Sequence, residues 1–486
     1  RMRLRRRIAV VFLLTFLLFL CVLDRYVVAG RLGSVTTFFS LADTSAGLIS
    51  TFYIVVYVAS APVIGALADR YSRRLVCASG CVVWLAASLL SSLVPGELFW
   101  LFCVLRAAGA IGSASLNTIG PPLLAQLFAE DSGRGYALMF FYYALPMGWS
   151  ASASISSATI ANGISWQWTA RIATPFAAAT LVTFLLTLPE ASVKSAKVDS
   201  TSSSQRTASS ILRDIVAIIK VPSFVLMTLA ISCVQAVTDA HGWWNPYLMQ
   251  LASDATDHDS AIFHGLSLPL ILTVYSISTS TGGILGATFT SWLTERWHSP
   301  RAASIVGAVA AAISTCTTFV VQRFLMIDVI INYILALIGS FAIFGIYALA
   351  MGIVMRVIPE QRRATATAIY YVVSSLLGDA PAASIVGAIA DAVRPSLADA
   401  DGPRAHFYAL LDGFYAINPL LGVCAVCFAF SSWSVPRDVV AVAAESVAEA
   451  EAVGHAEEAS SEQRQEHAPN LQLSNMDNAT YGSVVK

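Results

Sequence analysis

The sequence predicts an all-α integral membrane protein in which twelve transmembrane helices form two pseudo-symmetric six-helix bundles. Three observations lead to this fold class. Apolar residues make up 56% of the chain and charged residues only 12%, against roughly 25% charged residues in ordinary soluble domains. The apolar residues stand in runs of about 20, which match the thickness of a bilayer at the rise of a helix. A charged turn in the first half of the chain also recurs in the second half.

The predicted spans are helices because backbone groups in lipid must find hydrogen-bond partners within their own segment. Glycine and serine are interspersed among the larger apolar residues and allow the helices to pack closely. The twelve spans lie near 8–29, 46–67, 75–94, 98–120, 135–160, 169–188, 221–250, 263–292, 302–321, 327–354, 366–391 and 407–433.

Basic residues are concentrated on one side of this twelve-span topology. They occur at the start of the chain, after span 2, between spans 6 and 7 and after span 10. The positive-inside rule places this side, and with it both termini, in the cytosol. We predict no cleavable signal peptide, because the first apolar run is too long and lacks a small-residue cleavage site.

Composition divides the chain into four zones. Residues 1–189 form the first bundle, 190–220 a linker rich in serine, threonine and lysine, 221–436 the second bundle, and 437–486 a polar tail. We expect linker and tail to be cytosolic and the tail to be disordered, with at most a marginal helix at its start.

Two charged turns recur in the halves and indicate an internal duplication. The first reads Gly65-Ala-Leu-Ala-Asp69-Arg70-Tyr71-Ser-Arg73-Arg74, and a degraded copy follows about 226 residues later. A second turn, which precedes span 5, has its counterpart before span 11 at an offset of about 230. Two related bundles with a pathway between them are typical of a transporter.

The repeated turns are predicted to latch one conformation of such a transporter. A carboxylate at Asp69 is stabilised by helix N-termini and by nearby arginines, and such contacts can form and break during a cycle. The alternative is that the arginines only hold the loop in the cytosol. The residues of this latch hypothesis are Gly65, Asp69, Arg70, Arg73, Arg74, Glu295, Arg296, Glu130, Arg134, Glu360 and Arg363.

Asp24 and Arg25 are ionisable residues within span 1, where they are costly unless they meet a partner or a water-filled cavity. Asp24 is predicted to carry a coupling proton. Arg25 either holds Asp24 charged or meets a phosphate headgroup, since guanidinium matches phosphate geometry. We expect Asp24→Asn to fold normally and to lose most transport. The alternative is an interfacial pair that ends the span and reaches the lipid surface.

Five positions are candidates for the wall of a substrate cavity: Ser113, Asp379, His241, Trp243 and Trp244. Asp379 stands between Gly378 and Pro381, where the helix is predicted to break, and it either satisfies free backbone groups or pairs with a cation across the pore. His241 could sense acidity, and Trp243 and Trp244 could line the path of an amphiphile. The alternative for the last three is an aromatic belt at the end of span 7.

No other chemistry is indicated by the sequence. The cysteines lie in or beside the spans, and we predict neither a metal site nor a cofactor. We see no phosphate-binding loop and no nucleophile with a supporting base, so we expect neither an enzyme nor a nucleic-acid partner.

The sequence resembles a known family of transporters. The turn from Gly65 to Arg74 is similar to the signature loop of the major facilitator superfamily, which has twelve helices in two halves. Several stretches are similar to the Spinster family within it, namely Leu23-Asp24-Arg25-Tyr26, Thr118-Ile-Gly-Pro121 with Phe128, Trp166-Gln-Trp168 and Leu376-Leu377-Gly378-Asp379-Ala380. The resemblance implies export of lysophospholipids from lysosomes, or of sphingosine phosphates, with proton coupling.

One position departs from that family. Its members usually carry glutamate in span 4 within Gly-Glu-Ala-Ser, which resembles a partner of the acid in span 1, whereas this chain has Gly112-Ser113-Ala114-Ser115. Ser113 cannot titrate in the useful range, so that coupling rests on Asp24 alone or transport is facilitated diffusion.

The tail carries a candidate sorting motif. Tyr481 with Val484 resembles a tyrosine-based sorting signal and predicts a sorting adaptor as partner and a lysosomal membrane, with the plasma membrane as alternative. Three other functions remain open: a facilitator for a sugar or a drug-like cation, a transporter-like sensor or scaffold without flux, and, least favoured, a membrane acyltransferase.

Overall fold

The computed structural model describes residues 4–128, 137, 140–188, 208–256, 262–297, 299–359, 362–397 and 402–466. Throughout these ranges the chain is helical or in short turns, without a strand.

In the described part of the N-terminal bundle there are eight helices, of which two are short. They are α1 Leu4–Gly30, α2 Leu32–Phe39, α3 Asp43–Arg70, α4 Arg73–Ser91, α5 Phe99–Leu127, α6 Ala144–Ala161, α7 Trp166–Arg171 and α8 Ala173–Thr187.

The remaining helices form a linker helix and the C-terminal bundle. They are α9 Ala208–Ile219 in the linker, followed by α10 Pro222–Ala255, α11 Leu268–Trp297, α12 Ala302–Phe324, α13 Val329–Val357, α14 Arg363–Ser374, α15 Ala380–Val393, α16 Pro403–Ile417 and α17 Leu420–Glu466. A π-helical turn, Ser375–Asp379, joins α14 to α15.

The helices agree closely with the predicted spans, but the count of twelve is not reached. In the described ranges eleven helices are long and apolar enough to cross a membrane. The helix at the predicted fifth span, α6, is not among them. The described helix, Ala144–Ala161, has 18 residues and is rich in serine, and part of the predicted span 135–160 lies outside the described residues.

One prediction about local structure needs correction. The helix does not break at Asp379 but continues through the π-helical turn into α15, near whose start Pro381 lies. The first part of the tail is helical, as the predicted marginal helix allows, and α17 continues to Glu466; residues 467–486 lie outside the described residues.

The two ends of the bundles differ in charge. We call one end the basic face; it holds the turn between α3 and α4 and the start of α14, with Arg70, Arg73 and Arg363. We call the other end the opposite face; α3 begins there at Asp43 and α16 at Pro403.

The bundles are joined from the middle of the membrane to the opposite face. Two glycines allow α3 and α15 to touch, since a Cβ at Gly47 would lie 2.5 Å from the carbonyl oxygen of Ala383, and one at Gly387 would overlap the carbonyl of Asp43. Hydrogen bonds between described residues of the two bundles lie along this seam and along a second one between α6 and α11. Along or near the first, they join Arg25 and Ser50 to Asp239, Asp43 and Thr44 to Asp391, Thr51 to Ala380 and Ser384, and Asp43 to His406. Along the second, they join Ser157 to Pro269 and Ser280 to Pro146.

Candidate functional site: two buried charge clusters

The first cluster surrounds Asp24 inside the N-terminal bundle. Arg106 on α5 places Nη1 3.2 Å from Asp24 Oδ2 and donates from Nη2 to the Asp24 carbonyl at 2.7 Å. Trp84 Nε1 donates to Oδ2 at 2.9 Å and Ser88 Oγ to Oδ1 at 2.6 Å. Asp24 and Arg106 are each only 4% exposed. One carboxylate therefore meets one guanidinium, and its oxygens are saturated with donors.

This arrangement corrects two expectations about Asp24. Arg25 does not hold it charged, because adjacent residues on a helix point in different directions and Arg25 faces the other bundle. Nor is Asp24→Asn expected to fold normally, because the amide would leave the buried charge of Arg106 without its counter-ion. The alternative of a pair that ends the span at the lipid surface is also wrong, since Asp24 is buried.

The second cluster joins the two bundles around Arg25. Its Nη2 lies 2.8 Å from Asp239 Oδ1 on α10, and Ser50 Oγ on α3 donates to Asp239 Oδ2 at 3.1 Å. The guanidinium also packs over the rings of Tyr26 and Tyr53, at 4.9 and 4.8 Å from their centroids. Such aromatic faces stabilise a cation that is removed from water.

Asp379 adds a second carboxylate to this cluster. It ends the π-helical turn, its side chain interacts with that of Ser375, and it is near enough to Arg25 and Asp239 for their charges to act on it. Glycine is required before it, because a Cβ at Gly378 would overlap the backbone of Ser232 on α10. The Arg25 cluster therefore holds two carboxylates and one guanidinium in a region where a lone charge is costly.

Ser113, in place of the glutamate expected from the family resemblance, lies beside the Asp24 cluster. It is 7% exposed, and its Oγ accepts a long hydrogen bond of 3.6 Å from the thiol of Cys21. The N-terminal bundle therefore has a balanced pair of charges at this depth, whereas the excess acid lies across the bundle interface.

The other predicted cavity residues lie within the C-terminal bundle. His241 bonds to Asn418 at 3.1 Å and to Gln322 at 3.3 Å, and Trp244 donates to the Ala383 carbonyl at 2.9 Å. Trp243 and Trp244 are fully buried in the middle of α10, so the interpretation as an aromatic belt at a span end is wrong.

A small recess lies next to these residues, between α6, α10 and α11. Its cavity volume is about 10 Å³, roughly the space for one water molecule. Asn245 donates to the Tyr275 hydroxyl at 2.7 Å within it, and Trp149 and Leu272 supply apolar wall. None of the predicted cavity residues lines this recess; Asn245, one residue after Trp244, does.

The described latch residues contact their own bundle. Arg73 reaches Gln126 at 3.5 Å, Arg74 donates to the Leu185 carbonyl at 2.6 Å, and Arg363 bonds to the Ile358 carbonyl at 3.2 Å. Near Gly65, a Cβ would have only Thr118 within ordinary contact distance. Arg70, Glu295 and Arg296 are exposed.

Some predicted residues cannot be placed. Glu130, Arg134, Glu360, Tyr481 and Val484 lie outside the described residues, as does the side chain of Asp69. The latch and the sorting signal thus stay predictions.

Sequence reasoning missed Arg106 and Asp239. Arg106 had a visible signal, because an arginine within the apolar run of α5 is by itself a candidate for a functional partner. Asp239 lies two residues before His241, in the stretch predicted to form the end of span 7. The helix α10 continues well beyond it to Ala255.

A surface pair on the opposite face gives a pH-dependent prediction. Asp328 caps α13 by accepting from Ile330 N at 2.8 Å and Ile331 N at 3.1 Å, and His264 lies 3.2 Å from its carboxylate. The Ile331 N–H and then the His264 side chain lower the pKa of Asp328. The stability that this carboxylate contributes is present at neutral pH and is lost as the pH falls through that lowered value.

We expect Asp328→Ala to lower the melting temperature at neutral pH and to lower it less in acid. An equal decrease at both pH values would contradict the assignment.

Comparison with known proteins supports a single family. The family model for the Major Facilitator Superfamily matches residues 14–382. Protein spinster homolog 1 from Xenopus laevis is 32% identical over 404 residues, which cover 80% of this chain and 74% of that protein. The sphingosine-1-phosphate transporter SPNS2 from Mus musculus is 31% identical, covering 78% of this chain and 68% of its own length.

Solved structures show the same fold. A bacterial homologue of the human lysosomal transporter Spinster, in an inward-facing and unoccupied conformation, has a TM-score of 0.74 at 15% identity and covers 90% of this chain and 99% of its own. The nucleoside transporter NupG has a TM-score of 0.61 at 13% identity, covering 87% of this chain and 98% of its own. These neighbours confirm the predicted all-helical transporter fold, and the family match confirms that the chain is a transporter relative rather than an enzyme. The chain belongs to the Spinster family of the major facilitator superfamily.

Proposed function

We propose that this chain is a secondary active transporter that moves lysophospholipids or sphingosine phosphates by alternating access, coupled to protons. The observation that carries the proposal is the Arg25 cluster, which places two carboxylates and one guanidinium between the bundles. One positive charge offsets one carboxylate. A proton on Asp239 or Asp379 offsets the second, and the two acids share it as one titrating unit.

The position of this cluster links the proton to the conformational change. Arg25 belongs to the N-terminal bundle and the two acids to the C-terminal bundle, so relative motion of the bundles changes the distance between the charges. Separation from Arg25 favours protonation of the acids, because they lose their counter-ion in an apolar environment. Proton uptake therefore favours separation of the bundles at this point, and release favours approach.

The substrate class is supported by the named relatives and by the recess. SPNS2 is described as a sphingosine-1-phosphate transporter. The recess between α6, α10 and α11 combines a polar pair, Asn245 and Tyr275, with the apolar faces of Trp149 and Leu272. An amphiphile needs both a polar and an apolar wall.

We also propose that the basic face is cytosolic and that the protein exports its cargo from the lysosome. The basic residues of that face support the orientation. The lysosomal location is supported by the solved bacterial relative, which is described as a homologue of a human lysosomal transporter.

The test is flux of labelled lysophosphatidylcholine, and then of sphingosine-1-phosphate, through the purified chain in proteoliposomes with and without a pH gradient. With one proton moved per lipid, a gradient of one unit drives about tenfold accumulation. We expect accumulation to follow the gradient and to collapse when an ionophore removes it.

Other outcomes distinguish the alternatives. Flux without accumulation would show facilitated movement and remove proton coupling. No flux of either lipid would contradict the proposal. Asp328→Asn is a suitable control variant, because it changes an acid of the C-terminal bundle that lies outside the spanning helices and outside the Arg25 cluster.

A further inference from the structure

The opposite face carries a polar cluster that is separate from the Arg25 cluster. We call it the closing cluster; its members are Asp43 and Thr44 at the start of α3, Asp391 on α15, His406 on α16 and Tyr247 on α10. It joins the N-terminal bundle to three helices of the C-terminal bundle.

Asp391 caps a helix that belongs to the other bundle. Its Oδ1 accepts from Asp43 N at 3.0 Å, and its Oδ2 accepts from Thr44 N at 2.8 Å and from Thr44 Oγ1 at 2.6 Å. Ala42, at the N-cap of α3, supplies no capping side chain. The first N–H groups of α3 are therefore satisfied only when the two bundles meet, and the carboxylate also lies at the positive end of the helix.

His406 makes the second link across the same seam. Its Nε2 lies 2.6 Å from Asp43 Oδ2, and its Nδ1 lies 3.4 Å from the Tyr247 hydroxyl. A neutral imidazole donates from Nε2 to Asp43 and accepts from Tyr247 at Nδ1. A charged imidazolium donates from both nitrogens, and the hydroxyl of Tyr247 then accepts. The geometry thus accommodates both protonation states without rearrangement.

When the face is closed, the His406 imidazole lies directly against a carboxylate of the other bundle. Asp43 is 3% exposed and His406 8%, so their interaction is little screened by water. Protonation converts a hydrogen bond between the bundles into an ion pair and offsets one of the two carboxylate charges. The titratable groups in contact with His406 are Asp43 and Tyr247. Asp391 binds the backbone of Asp43, Arg394 and Asp254 act on Tyr247, and Arg404 is on the same helix as His406.

We propose that His406 is a second proton-binding site and that, once protonated, it holds the opposite face closed through Asp43. Acid on that side favours the conformation that is open toward the basic face. In an acidic lumen, protonated His406 would hold the opposite face closed after a substrate has bound. The substrate would then be released to the cytosol. The inference rests on the alternating access proposed above, but not on the identity of the lipid.

The experiment measures the closure directly. Leu93, at 61% exposure, and Ile327, at 54%, lie on the opposite face in different bundles and can be replaced by spin-labelled cysteines, with exposed Cys316 changed to serine. Distances between the labels are recorded in lipid nanodiscs without substrate, at about pH 7.5 and about pH 5.5, on either side of the usual imidazole titration. We expect the ratio of short to long distances to rise about tenfold in acid, as for one unit of coupling.

Three variants separate the contributions. His406→Gln retains a donor to Asp43 but cannot titrate, and Asp43→Asn retains an acceptor without the charge; both should abolish the rise of the ratio in acid. Asp391→Asn should lower the ratio at both pH values and keep its pH dependence, because it weakens the helix cap alone.

His264→Gln is the matched control. His264 also lies near a carboxylate on the opposite face, 3.2 Å from Asp328, but both residues belong to the C-terminal bundle. We expect this variant to respond to pH like the parent. A parent without pH response, or a pH response retained in both His406→Gln and Asp43→Asn, would overturn the proposal. The distance measurement contains no substrate, so an absence of lipid flux would not contradict this inference about His406. Conversely, an absence of the pH response would not contradict proton-coupled lipid flux.

Discussion

We expect Asp379→Asn to abolish the accumulation of lipid that a pH gradient drives, while the protein remains folded in the membrane. The reason is the charge balance of the Arg25 cluster. In the proposed mechanism, Arg25 offsets one carboxylate of the parent and the remaining carboxylate carries the coupling proton. Asparagine at 379 resembles the protonated acid permanently, so the cluster stays neutral and no proton is exchanged.

The same charge balance predicts the behaviour of Asp239→Asn and of the variant in which both acids are replaced. Asp239→Asn removes the acid that lies 2.8 Å from Arg25, but Asp379 remains to balance the guanidinium. It should therefore also fold and lose its response to the gradient. Replacing both acids leaves Arg25 without a counter-ion, and we expect this double variant to be poorly expressed or unstable.

The measurement is accumulation of labelled lysophosphatidylcholine in proteoliposomes across a gradient of one pH unit. We expect about tenfold accumulation for the parent with one proton per lipid and none for either single variant. Exchange of labelled for unlabelled lipid without a gradient should persist. Asp328→Asn, which changes an acid of the same bundle outside the spanning helices, is the control and should accumulate lipid normally. Accumulation by Asp379→Asn at the parental level would falsify the assignment.

The fold could be predicted from the sequence because its main determinant is local. An apolar run of about 20 residues in lipid can only be helical, whatever it packs against. Bounds were therefore predicted well for helices such as Ala302–Phe324. The one helix that fails the criterion for a span, α6, shows the limit of this reasoning: its serines make it polar.

The partners of the charged residues could not be predicted in the same way. Arg25 and Asp239 are 214 positions apart, and Asp43 and His406 are 363 apart. Nothing in either local sequence indicates the other, because the contact depends on how the two bundles meet. Asp24 and Arg25 illustrate the error that follows: adjacency in sequence suggested a pair, whereas the helix directs them into two different clusters.

The Asp24 cluster should contribute to stability rather than to coupling, and a double-mutant cycle tests this. We expect Asp24→Asn to destabilise the protein by about 3–5 kcal/mol, the usual cost of leaving one member of a buried ion pair alone. Arg106→Gln should have an effect of similar size, because it leaves the carboxylate with only Trp84 and Ser88 as side-chain donors. The double variant places a neutral amide at each position and should recover most of this loss, so the two changes are strongly non-additive.

Thermal unfolding of the purified variants in detergent measures the cycle, with Arg73→Gln as a control that is expected to change stability by less than about 0.5 kcal/mol. The comparison also decides whether the coupling proton resides on Asp24 or in the Arg25 cluster. If Asp24→Asn retained the parental melting temperature but lost the response to a pH gradient, the coupling proton would reside on Asp24. Loss of stability, with gradient-driven accumulation restored in the double variant, would place it in the Arg25 cluster. The balanced pair inside one bundle has no reason to titrate when the bundles move, whereas the unbalanced cluster between them has.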